Sequence, residues 1–331
     1  MPETRKILVV RTDSLGDCLL TLPMFYSIKK QKPDYELGIL CSRTGLPVFE
    51  RQPFVSHIHL YPACSKTDNE IREIGYDEAI IVHPEIKLAR YIWQIGIKRR
   101  IGTARRLYSM LFTDRINVSR RNSDIPEWQH NLNMLEAIDL KPLKEPIKLY
   151  PDDSEYKQAE YLINGRQDGK KTIGIHAGSK GSALNWSEDN YFSLAETLAG
   201  EGMNVILTGT SEEEKLFKGK IRNSKIISLF GKTTFFQFAA LCTFLDLFIS
   251  GSTGVMHVAS TMGTRTLTFF PPFLSCSSKR WGPFDASRSH FLVPDIVCPS
   301  GKCSSKCKYH NCLDAFNPSE VMKTILNILK D

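Results

Sequence analysis

The sequence has no long apolar segment and none of the common nucleotide-binding fingerprints. No run approaches the roughly 20 residues that a membrane-spanning helix needs, and the apolar stretch at residues 7–10 is too short for the core of a signal peptide. We therefore expect a protein of the cytoplasm. The pattern G-x4-G-K-[ST] is absent, and so is G-x-G-x-x-G, which weakens the case for a nicotinamide or flavin cofactor.

Paired C-x2-C zinc motifs are also lacking, although nine cysteines are present. Four of them cluster in the stretch CPSGKCSSKCKYHNC: Cys298, Cys303, Cys307 and Cys312. Their spacing does not match that of zinc ribbons, and stable disulfides are not expected in the cytoplasm. Two interpretations stay open, namely a metal or redox cluster in which His310 could be an alternative ligand, or reduced cysteines that serve only the structure.

Charge is unevenly distributed along a chain whose composition is otherwise globular. Hydrophobic residues make up 42% and charged residues 24%, and 331 residues are enough for two domains. The net charge is +7, but residues 85–121 carry ten Lys or Arg and two Asp or Glu, so this segment alone has a charge of +8. Its cations include Lys98, Arg99, Arg100, Arg105, Arg106, Arg120 and Arg121.

Such a basic segment has two explanations. It binds an anionic partner, such as lipid headgroups or a phosphorylated substrate, or it is a solvated face. Nucleic acid is not expected as the partner, because no helix-turn-helix, zinc finger or base-stacking motif accompanies the charge.

Strand and helix patterns alternate along the chain, which predicts parallel sheets covered by helices on both faces. Nine stretches predict strands: KILVVR, YELGILC, HIHLY and YDEAIIVH, then TIGIH, NVILTG, KIISL, LFIS and TLTFF. A polar stretch at residues 141–169 separates the two series. We therefore expect an α/β protein with two Rossmann-like, doubly wound domains that face a cleft, at residues 1–160 and 170–316. A C-terminal helix at 318–331 could pack on either domain, including the first.

The stretch DLFISGSTGVMHVAST, residues 246–261, is typical of a strand that ends in a small-residue turn and continues as a helix. In a parallel sheet, ligands bind beyond the carboxyl ends of the strands, where a helix N-terminus offers free N–H groups to phosphate. Ser252 and Thr253 supply hydroxyl groups, and Gly254 lets the backbone approach an anion closely. His257 lies one turn into the helix. The stretch predicts a phosphate site, and the alternative is an ordinary N-cap without a ligand.

A second strand, turn and helix follows the same logic in HAGSKGSALNW. Gly178, Ser179, Lys180, Gly181 and Ser182 form a basic loop, rich in hydroxyl groups, that could cradle a diphosphate.

A third such turn is RTDSLGDCLLTLP. Ser14 and Asp17 resemble a capping box, so Asp17 could simply stabilise its helix. The same carboxylate follows the first strand, where it could accept a proton from an attacking hydroxyl group. Asp13 is the competing candidate for that role.

These segments together resemble glycosyltransferase family nine, the heptosyltransferases of lipopolysaccharide core assembly. KILVVRTDSLGDCLLTLPMFYSIKKQKPDYELGIL resembles the start of the family, and IGIHAGS…NWSEDNYFSLAETL with NVILTGTSEE resembles the start of its second domain. DLFISGSTGVMHVASTMGTRTLTFFPP with RWGPF looks like the donor-binding signature. The cysteine cluster before PSEVMKTIL looks like the tail of one branch of the family.

The resemblance implies a GT-B fold and inverting transfer of a sugar from a nucleoside diphosphate, with no metal and no other cofactor. The implied donor is ADP-heptose, and the implied acceptor is a lipid-linked saccharide such as the lipopolysaccharide core. The aspartate of the family motif S-x-G-D maps onto Asp17 as general base. The donor site is expected to comprise Gly178, Ser179, Lys180, Ser252, Thr253, Gly254 and His257. The acceptor, or the inner face of the cytoplasmic membrane, is expected to meet Ser14, Gly16, Arg99, Arg100, Arg105 and Arg106.

The chain departs from the family pattern at both donor loops. Ser252 stands where the family usually has an aspartate, and Leu184 and Asn185 stand where it has a lysine or arginine, a charge that Lys180 could replace. Two rival functions remain, which are a nucleotide-sugar-binding protein without catalysis and a sugar 2-epimerase of the same architecture.

Overall fold

The computed structural model describes residues 4–117, 120, 125–179, 181, 184–217, 219–298 and 311–330. The chain divides into two compact units, Met1–Ile147 and Lys148–Asp331. Sequence patterns placed the end of the first domain at residue 160 instead. The helix Asp153–Leu162 packs against the helix Phe235–Cys242, and this contact makes it part of the second unit.

The first unit contains a six-stranded sheet in which all the neighbouring strands are parallel, in the order β3-β2-β1-β4-β5-β6. Its strands are β1 (Lys6–Arg11), β2 (Glu36–Ser42), β3 (His57–Tyr61), β4 (Glu78–Ile81), β5 (Arg99–Thr103) and β6 (Asp114–Ile116). Its helices are α1 (Leu15–Leu19), α2 (Leu22–Gln31), α3 (Leu46–Phe49), α4 (Ser65–Ile74), α5 (Ile86–Ile95) and α6 (Glu127–Asn133). Two 3-10 helices lie at Leu107–Leu111 and Met134–Ile138.

The second unit repeats this plan with a sheet in the order β12-β11-β10-β7-β8-β9, again parallel throughout. Its strands are β7 (Thr172–His176), β8 (Asn204–Gly209), β9 (Ile227–Phe230), β10 (Leu247–Gly251), β11 (Thr266–Phe269) and β12 (Ser289–Leu292). Its helices are α7 (Asp153–Leu162), α8 (Glu188–Gly200), α9 (Ser211–Phe217), α10 (Phe235–Cys242), α11 (Gly254–Thr261), α12 (Ser278–Trp281) and α13 (Pro318–Ile328).

All nine strands predicted from the sequence are present, and three others were missed. The inner strands were recognisable because both of their faces are covered, so that β1 is a continuous apolar run with Ile7, Leu8, Val9 and Val10 fully buried. The missed strands are β5, β6 and β12. The first opens with two arginines, the second has three residues, and the third is only partly buried.

The C-terminal helix α13 packs on the second unit. Asn317 caps it, with its side chain accepting a bond from the backbone N–H of Glu320, as the sequence NPSE suggested. Its buried face, which includes Val321 and Ile325, joins the same apolar core as α8. Of the two placements that the sequence left open, the structure therefore shows the one on the second unit and not the one on the first.

Two arginines of the basic segment form ion pairs and hydrogen bonds at the amino-terminal edge of the first sheet. Arg99, the first residue of β5, pairs with Asp114 at 3.0 Å and with Glu78 at 3.1 Å, and Arg5 also pairs with Glu78 at 2.7 Å. Arg100 donates to the carbonyl oxygens of Ile97, Lys98 and Leu111. This edge is opposite the one where the strands end. Arg99 and Arg100, which the sequence led us to expect at the acceptor or the membrane, are thus engaged in contacts within the first unit.

The Glu78 carboxylate is the centre of this edge. It is fully buried, and burial raises its pKa, while the two arginines oppose that shift. Replacing it by alanine would leave Arg5 and Arg99 without their shared partner.

We predict that Glu78→Ala lowers the free energy of unfolding by about 3 kcal/mol. This value is at the lower end of the range for a broken buried ion pair, because both arginines are partly exposed.

Urea unfolding of the purified chain measures this effect. The exposed Glu73 on the neighbouring helix α4 is the matched control, and Glu73→Ala is expected to change stability by less than about 0.5 kcal/mol. Equal midpoints for the two variants would show that the amino-terminal edge does not depend on Glu78.

Candidate functional site

Strand order reverses once in each sheet, and the predicted site residues follow the strands at these two reversals. In the first sheet the chain winds from β1 through β2 to β3, and then resumes at β4 on the other side of β1. In the second sheet β7 and β10 stand in the same relation. Crevices that bind ligands form outside the carboxyl ends of such strand pairs. Each unit therefore has one such edge, and each is described separately.

The loop after β1 is organised by the buried guanidinium group of Arg11. This residue ends β1, and its side chain is only 3% exposed. Its Nε donates to Asp13 Oδ1 at 2.6 Å, and its Nη2 donates to Asp17 Oδ1. Both candidate bases are thus held by one cation. Arg11 was not among the residues predicted from the sequence, although an arginine directly after a buried apolar run was a visible signal.

A second layer fixes Arg11 from α6. Arg11 Nη1 lies 3.6 Å from Glu127 Oε1, which also accepts a bond from Arg120 Nε at 2.8 Å. The Asn131 side chain, one turn further along α6, accepts from both arginines. Glu127 and Asn131 are themselves buried. Isolated buried charges are costly, so this network compensates Arg11 and restricts it to one position.

Asp17 lies on the first turn of α1 and is held from two sides. Its Oδ2 accepts a bond from Ser14 Oγ at 2.6 Å, while Ser14 Oγ faces the Asp17 backbone N–H at 3.4 Å. The residue is therefore part of a helix cap and of an ion pair at once. Its carboxylate keeps 14% exposure, so one edge of it remains open to solvent. Gly16 is buried within α1 and adds no exposed surface here.

Asp13 shares Arg11 but differs in its surroundings. Burial raises the pKa of Asp13, and the nearby Asp17 carboxylate acts in the same direction, whereas Arg11 and His83 lower it. His83 follows β4, across the strand reversal, with its Nδ1 at 4.0 Å from Asp13 Oδ2. The site thus places two carboxylates, one arginine and one histidine at a single sheet edge.

Arg105 and Arg106 lie beyond the carboxyl end of β5, unlike Arg99 and Arg100. Both are exposed, and Arg105 Nε donates to Asn117 Oδ1 at 2.7 Å. The structure therefore divides the predicted basic set between the two opposite edges of the sheet.

In the second unit, the turn after β10 has a threonine whose hydroxyl group does not cap its helix. Thr253 is the N-cap residue of α11, yet its side chain makes no capping bond. Its Oγ1 is buried and has no hydrogen-bond partner among the residues that the structure describes. Ser252 and Gly254 flank it, partly exposed, and His257 is buried on the next turn. A buried hydroxyl group normally has a hydrogen-bond partner. The Thr253 hydroxyl group is therefore suited to donate a hydrogen bond to an oxygen atom of a bound ligand.

The loop after β7 lies beside the turn after β10, because these two strands are neighbours in the sheet. This loop borders a cavity of about 790 Å³. Gly178 and Ser179 line this cavity, together with Thr210 and Glu213 from the β8 side. A Cβ atom at Gly178 would lie 1.8 Å from Glu213 Oε1, so any larger residue would force the Glu213 carboxylate to move. Lys180 and Ser182, also expected here, fall outside the described residues.

Asn185 joins the two loops of this unit. Its Nδ2 donates to the Ala177 carbonyl oxygen at 2.7 Å, and its Oδ1 accepts from the buried Tyr191 hydroxyl group at 2.9 Å. A Cβ atom at Gly251 would lie 2.2 Å from the same Oδ1. Leu184 packs against the apolar core. Both positions where a basic residue was missing therefore have structural roles.

Two of the four clustered cysteines lie among the described residues. Cys298 and Cys312 are partly buried, and Cys303 and Cys307 fall outside the described ranges. Within those ranges, no group of three or more His, Cys, Asp or Glu side chains is arranged to hold a metal ion. None of the helices described there has the length and apolar character needed to cross a bilayer.

Two solved structures of glycosyltransferases have the same fold as this chain. A glycosyltransferase of family 9 from Veillonella parvula DSM 2008 has a TM-score of 0.87 at 19% identity, covering 99% of this chain and 98% of the other. The Escherichia coli ADP-heptose lps heptosyltransferase II has a TM-score of 0.77 at 19% identity, covering 98% of each chain. These likenesses confirm the expected two-domain α/β fold.

Sequence comparison gives the family. The family model for glycosyltransferase family 9 (heptosyltransferase) matches residues 65–311. A Haemophilus influenzae protein with a provisional description as a glycosyltransferase is 30% identical over 315 residues, which cover 90% of both chains. Lipooligosaccharide heptosyltransferase 2 of Campylobacter jejuni is 23% identical over 98% of this chain and 99% of its own. The chain therefore belongs to glycosyltransferase family 9, the heptosyltransferases, and is a glycosyltransferase.

Proposed function

We propose that this enzyme transfers heptose from ADP-heptose to a hydroxyl group of a lipopolysaccharide-core or similar glycolipid acceptor, with inversion at the anomeric carbon. Support for the donor and acceptor comes from relatives whose names specify ADP-heptose, lipopolysaccharide or lipooligosaccharide. The observation that carries the proposal is the Asp17 carboxylate, oriented by Arg11 and Ser14 at the carboxyl-terminal edge of the first sheet.

Asp17 acts as the general base in this proposal. One of its oxygens binds Arg11 and the other binds Ser14, so the group has a fixed direction. As the acceptor oxygen attacks the anomeric carbon, its proton moves to the carboxylate, and the bond to the diphosphate breaks on the opposite side. A base that is already positioned contributes typically 10²–10⁴-fold to such a step.

The β10–α11 turn and the β7 loop bind the leaving diphosphate. Negative charge builds up on the diphosphate as its bond to the sugar breaks, and preorganised donors stabilise such charge. The helix N-terminus after Thr253, the free Thr253 hydroxyl group and the Ser179 side chain are suited to this role. His257, Ser252, Gly254 and Gly178 complete the proposed donor site, and Lys180 would add a positive charge.

The enzyme is proposed to work at the inner face of the cytoplasmic membrane, where a lipid-linked acceptor would be presented. Contact with anionic lipid would then be peripheral, through cations of the first unit. Arg105 and Arg106 remain candidates for such contact, because both are exposed at the same sheet edge as Asp17.

Replacing the proposed base tests the mechanism directly. We predict that Asp17→Asn retains the fold and the affinity for ADP-heptose but lowers turnover by roughly 10²-fold or more, because the amide cannot accept the proton. Initial rates with purified acceptor, measured beside donor affinity and melting temperature, check this.

Asp13→Asn is the matched comparison, since both carboxylates bind Arg11. A larger loss of turnover in Asp13→Asn than in Asp17→Asn would assign the base to Asp13 instead. A large fall in melting temperature with unchanged turnover would reduce Asp17 to a helix cap. Conversion of donor by the wild-type chain without acceptor would indicate an epimerase.

The donor loops are tested by nucleotide binding. We predict that Thr253→Val and His257→Ala each weaken ADP binding by about 1–3 kcal/mol, because hydrogen bonds to a charged diphosphate are lost. Adenosine, which lacks the phosphates, is expected to bind nearly as before. Calorimetry of both ligands measures the difference.

Two further variants make this result interpretable. Thr197→Val, at an exposed position on α8, is the control for the threonine substitution. His257→Gln keeps a hydrogen-bonding group and should restore part of the loss, since His257 is buried and its removal also affects packing. Equal losses for adenosine and ADP would place the phosphates elsewhere.

A further inference from the structure

Exposed apolar side chains are concentrated in one short part of the first unit. Ile86, Trp93, Leu107 and Met110 are 55%, 53%, 97% and 74% exposed. All four lie within 25 consecutive residues, on α5 and the 3-10 helix Leu107–Leu111. Scattered exposed apolar residues are normal, whereas a cluster of large ones marks an interaction surface.

Helix α5 has two distinct faces. Leu88, Ala89, Ile92 and Ile95 are buried against the sheet. The opposite face is exposed, with Ile86 and Trp93 two turns apart and Lys87 and Arg90 between them. A helix face that combines a tryptophan, an isoleucine and two cations is typical of helices that lie at a lipid interface.

The neighbouring 3-10 helix presents its apolar residues in a fixed direction. Side chains three positions apart in a 3-10 helix project from the same side, as Leu107 and Met110 do. Tyr108 and Leu111 pack into the core that contains the buried face of α5. The buried Ser109 donates to the Thr103 carbonyl oxygen and accepts from the Arg106 backbone N–H, which anchors the turn. The two exposed residues are therefore held outward.

Cations outnumber carboxylates in the part of the sequence that carries these apolar residues. The sequence has no Asp or Glu between Glu85 and Asp114. Lys87, Arg90, Arg105 and Arg106 are all exposed, and none of them pairs with a carboxylate in the described part of the chain. A protein partner is usually met by both signs of charge, whereas this composition is complementary to an anionic lipid surface.

We propose that the exposed face of α5 and the adjoining 3-10 helix, hereafter the α5 surface, docks on an anionic lipid bilayer. The apolar residues enter the boundary between headgroups and acyl chains, and Lys87, Arg90, Arg105 and Arg106 bind headgroup phosphates. The purpose of such docking rests on the proposed function, in which the acceptor is lipid-linked.

The position of this surface fits that purpose. Helix α5 begins just after β4, and the 3-10 helix follows the end of β5, so both start at the carboxyl-terminal edge of the first sheet. Asp17 follows β1 at the same edge. A saccharide attached to a lipid beneath the α5 surface would therefore lie on the same side of the unit as the proposed base.

Co-sedimentation of the full chain with vesicles tests the proposal. One set of vesicles contains phosphatidylcholine alone, and the other contains phosphatidylcholine mixed with phosphatidylglycerol. We expect the wild-type chain to bind the mixed vesicles, less so at high salt, because screening weakens the attraction of the cations. The variant Trp93→Ser/Leu107→Ser/Met110→Ser and the variant Lys87→Ser/Arg90→Ser/Arg105→Ser/Arg106→Ser should each lose about tenfold or more in partitioning.

Matched controls replace exposed residues elsewhere. Tyr161→Ser/Val297→Ser removes exposed apolar groups, and Lys157→Ser/Lys323→Ser removes exposed cations. Both controls should bind the mixed vesicles as the wild type does. Absence of wild-type binding, or equal binding by the α5-surface variants, would overturn the proposal.

The same variants separate docking from self-association and from catalysis. If the apolar triple variant changes the oligomeric state in sedimentation and leaves vesicle binding intact, the surface joins two copies of the chain and the lipid proposal is wrong. With an acceptor oligosaccharide stripped of its lipid, the triple variant should turn over like the wild type. Vesicle binding by a chain that transfers no heptose would contradict the proposed function and leave docking intact.

Discussion

The buried guanidinium group of Arg11 is the interaction on which the first unit's site depends. A cation at the end of a buried strand is tolerated only when carboxylates compensate it. Asp13, Asp17 and Glu127 therefore converge on one point, although Arg11 and its partner Asn131 are 120 residues apart. The same convergence gives Asp17 a fixed direction, so the stability of the unit and the orientation of the proposed base have a common origin.

In the first sheet the two edges have different roles, because all the strands run in the same direction. At the amino-terminal edge, Arg99 and Arg100 satisfy Glu78, Asp114 and backbone carbonyl oxygens. At the carboxyl-terminal edge the loops are free to differ, and the proposed catalytic and donor-binding residues lie there. The charge of +8 in residues 85–121 consequently has two origins, of which the exposed cations beyond the carboxyl-terminal edge, such as Arg105 and Arg106, are available to a partner.

Much of this could be predicted from local patterns, and the rest required contacts between distant segments. Apolar runs identified the inner strands, and small-residue turns identified the loops around Asp17, Ser179 and Thr253. The partners of Arg11 on α6 have no local signature. Glu127 is buried, but a glutamate in a sequence ordinarily predicts an exposed position. Strand β5 was missed for the same reason, since its opening arginines are paired only in the folded sheet.

The contacts of Asn185 give a structural reason for one of the departures from the family pattern. Asn185 ties the β7 loop to Tyr191 and approaches Gly251, so this position fixes the two loops relative to each other. Neither Asn185 nor Ser252 carries a charge. In the proposed donor site, stabilisation of the leaving diphosphate would then rely largely on neutral donors, such as the α11 N-terminus and the Thr253 hydroxyl group, beside the charge of Lys180. Neutral donors that are rigidly held are effective in a site that excludes water, because no reorganisation is needed when the charge appears. The amide of Asn185 would support the proposed task indirectly, because its bonds to the Ala177 carbonyl oxygen and the Tyr191 hydroxyl group hold the β7 loop in place.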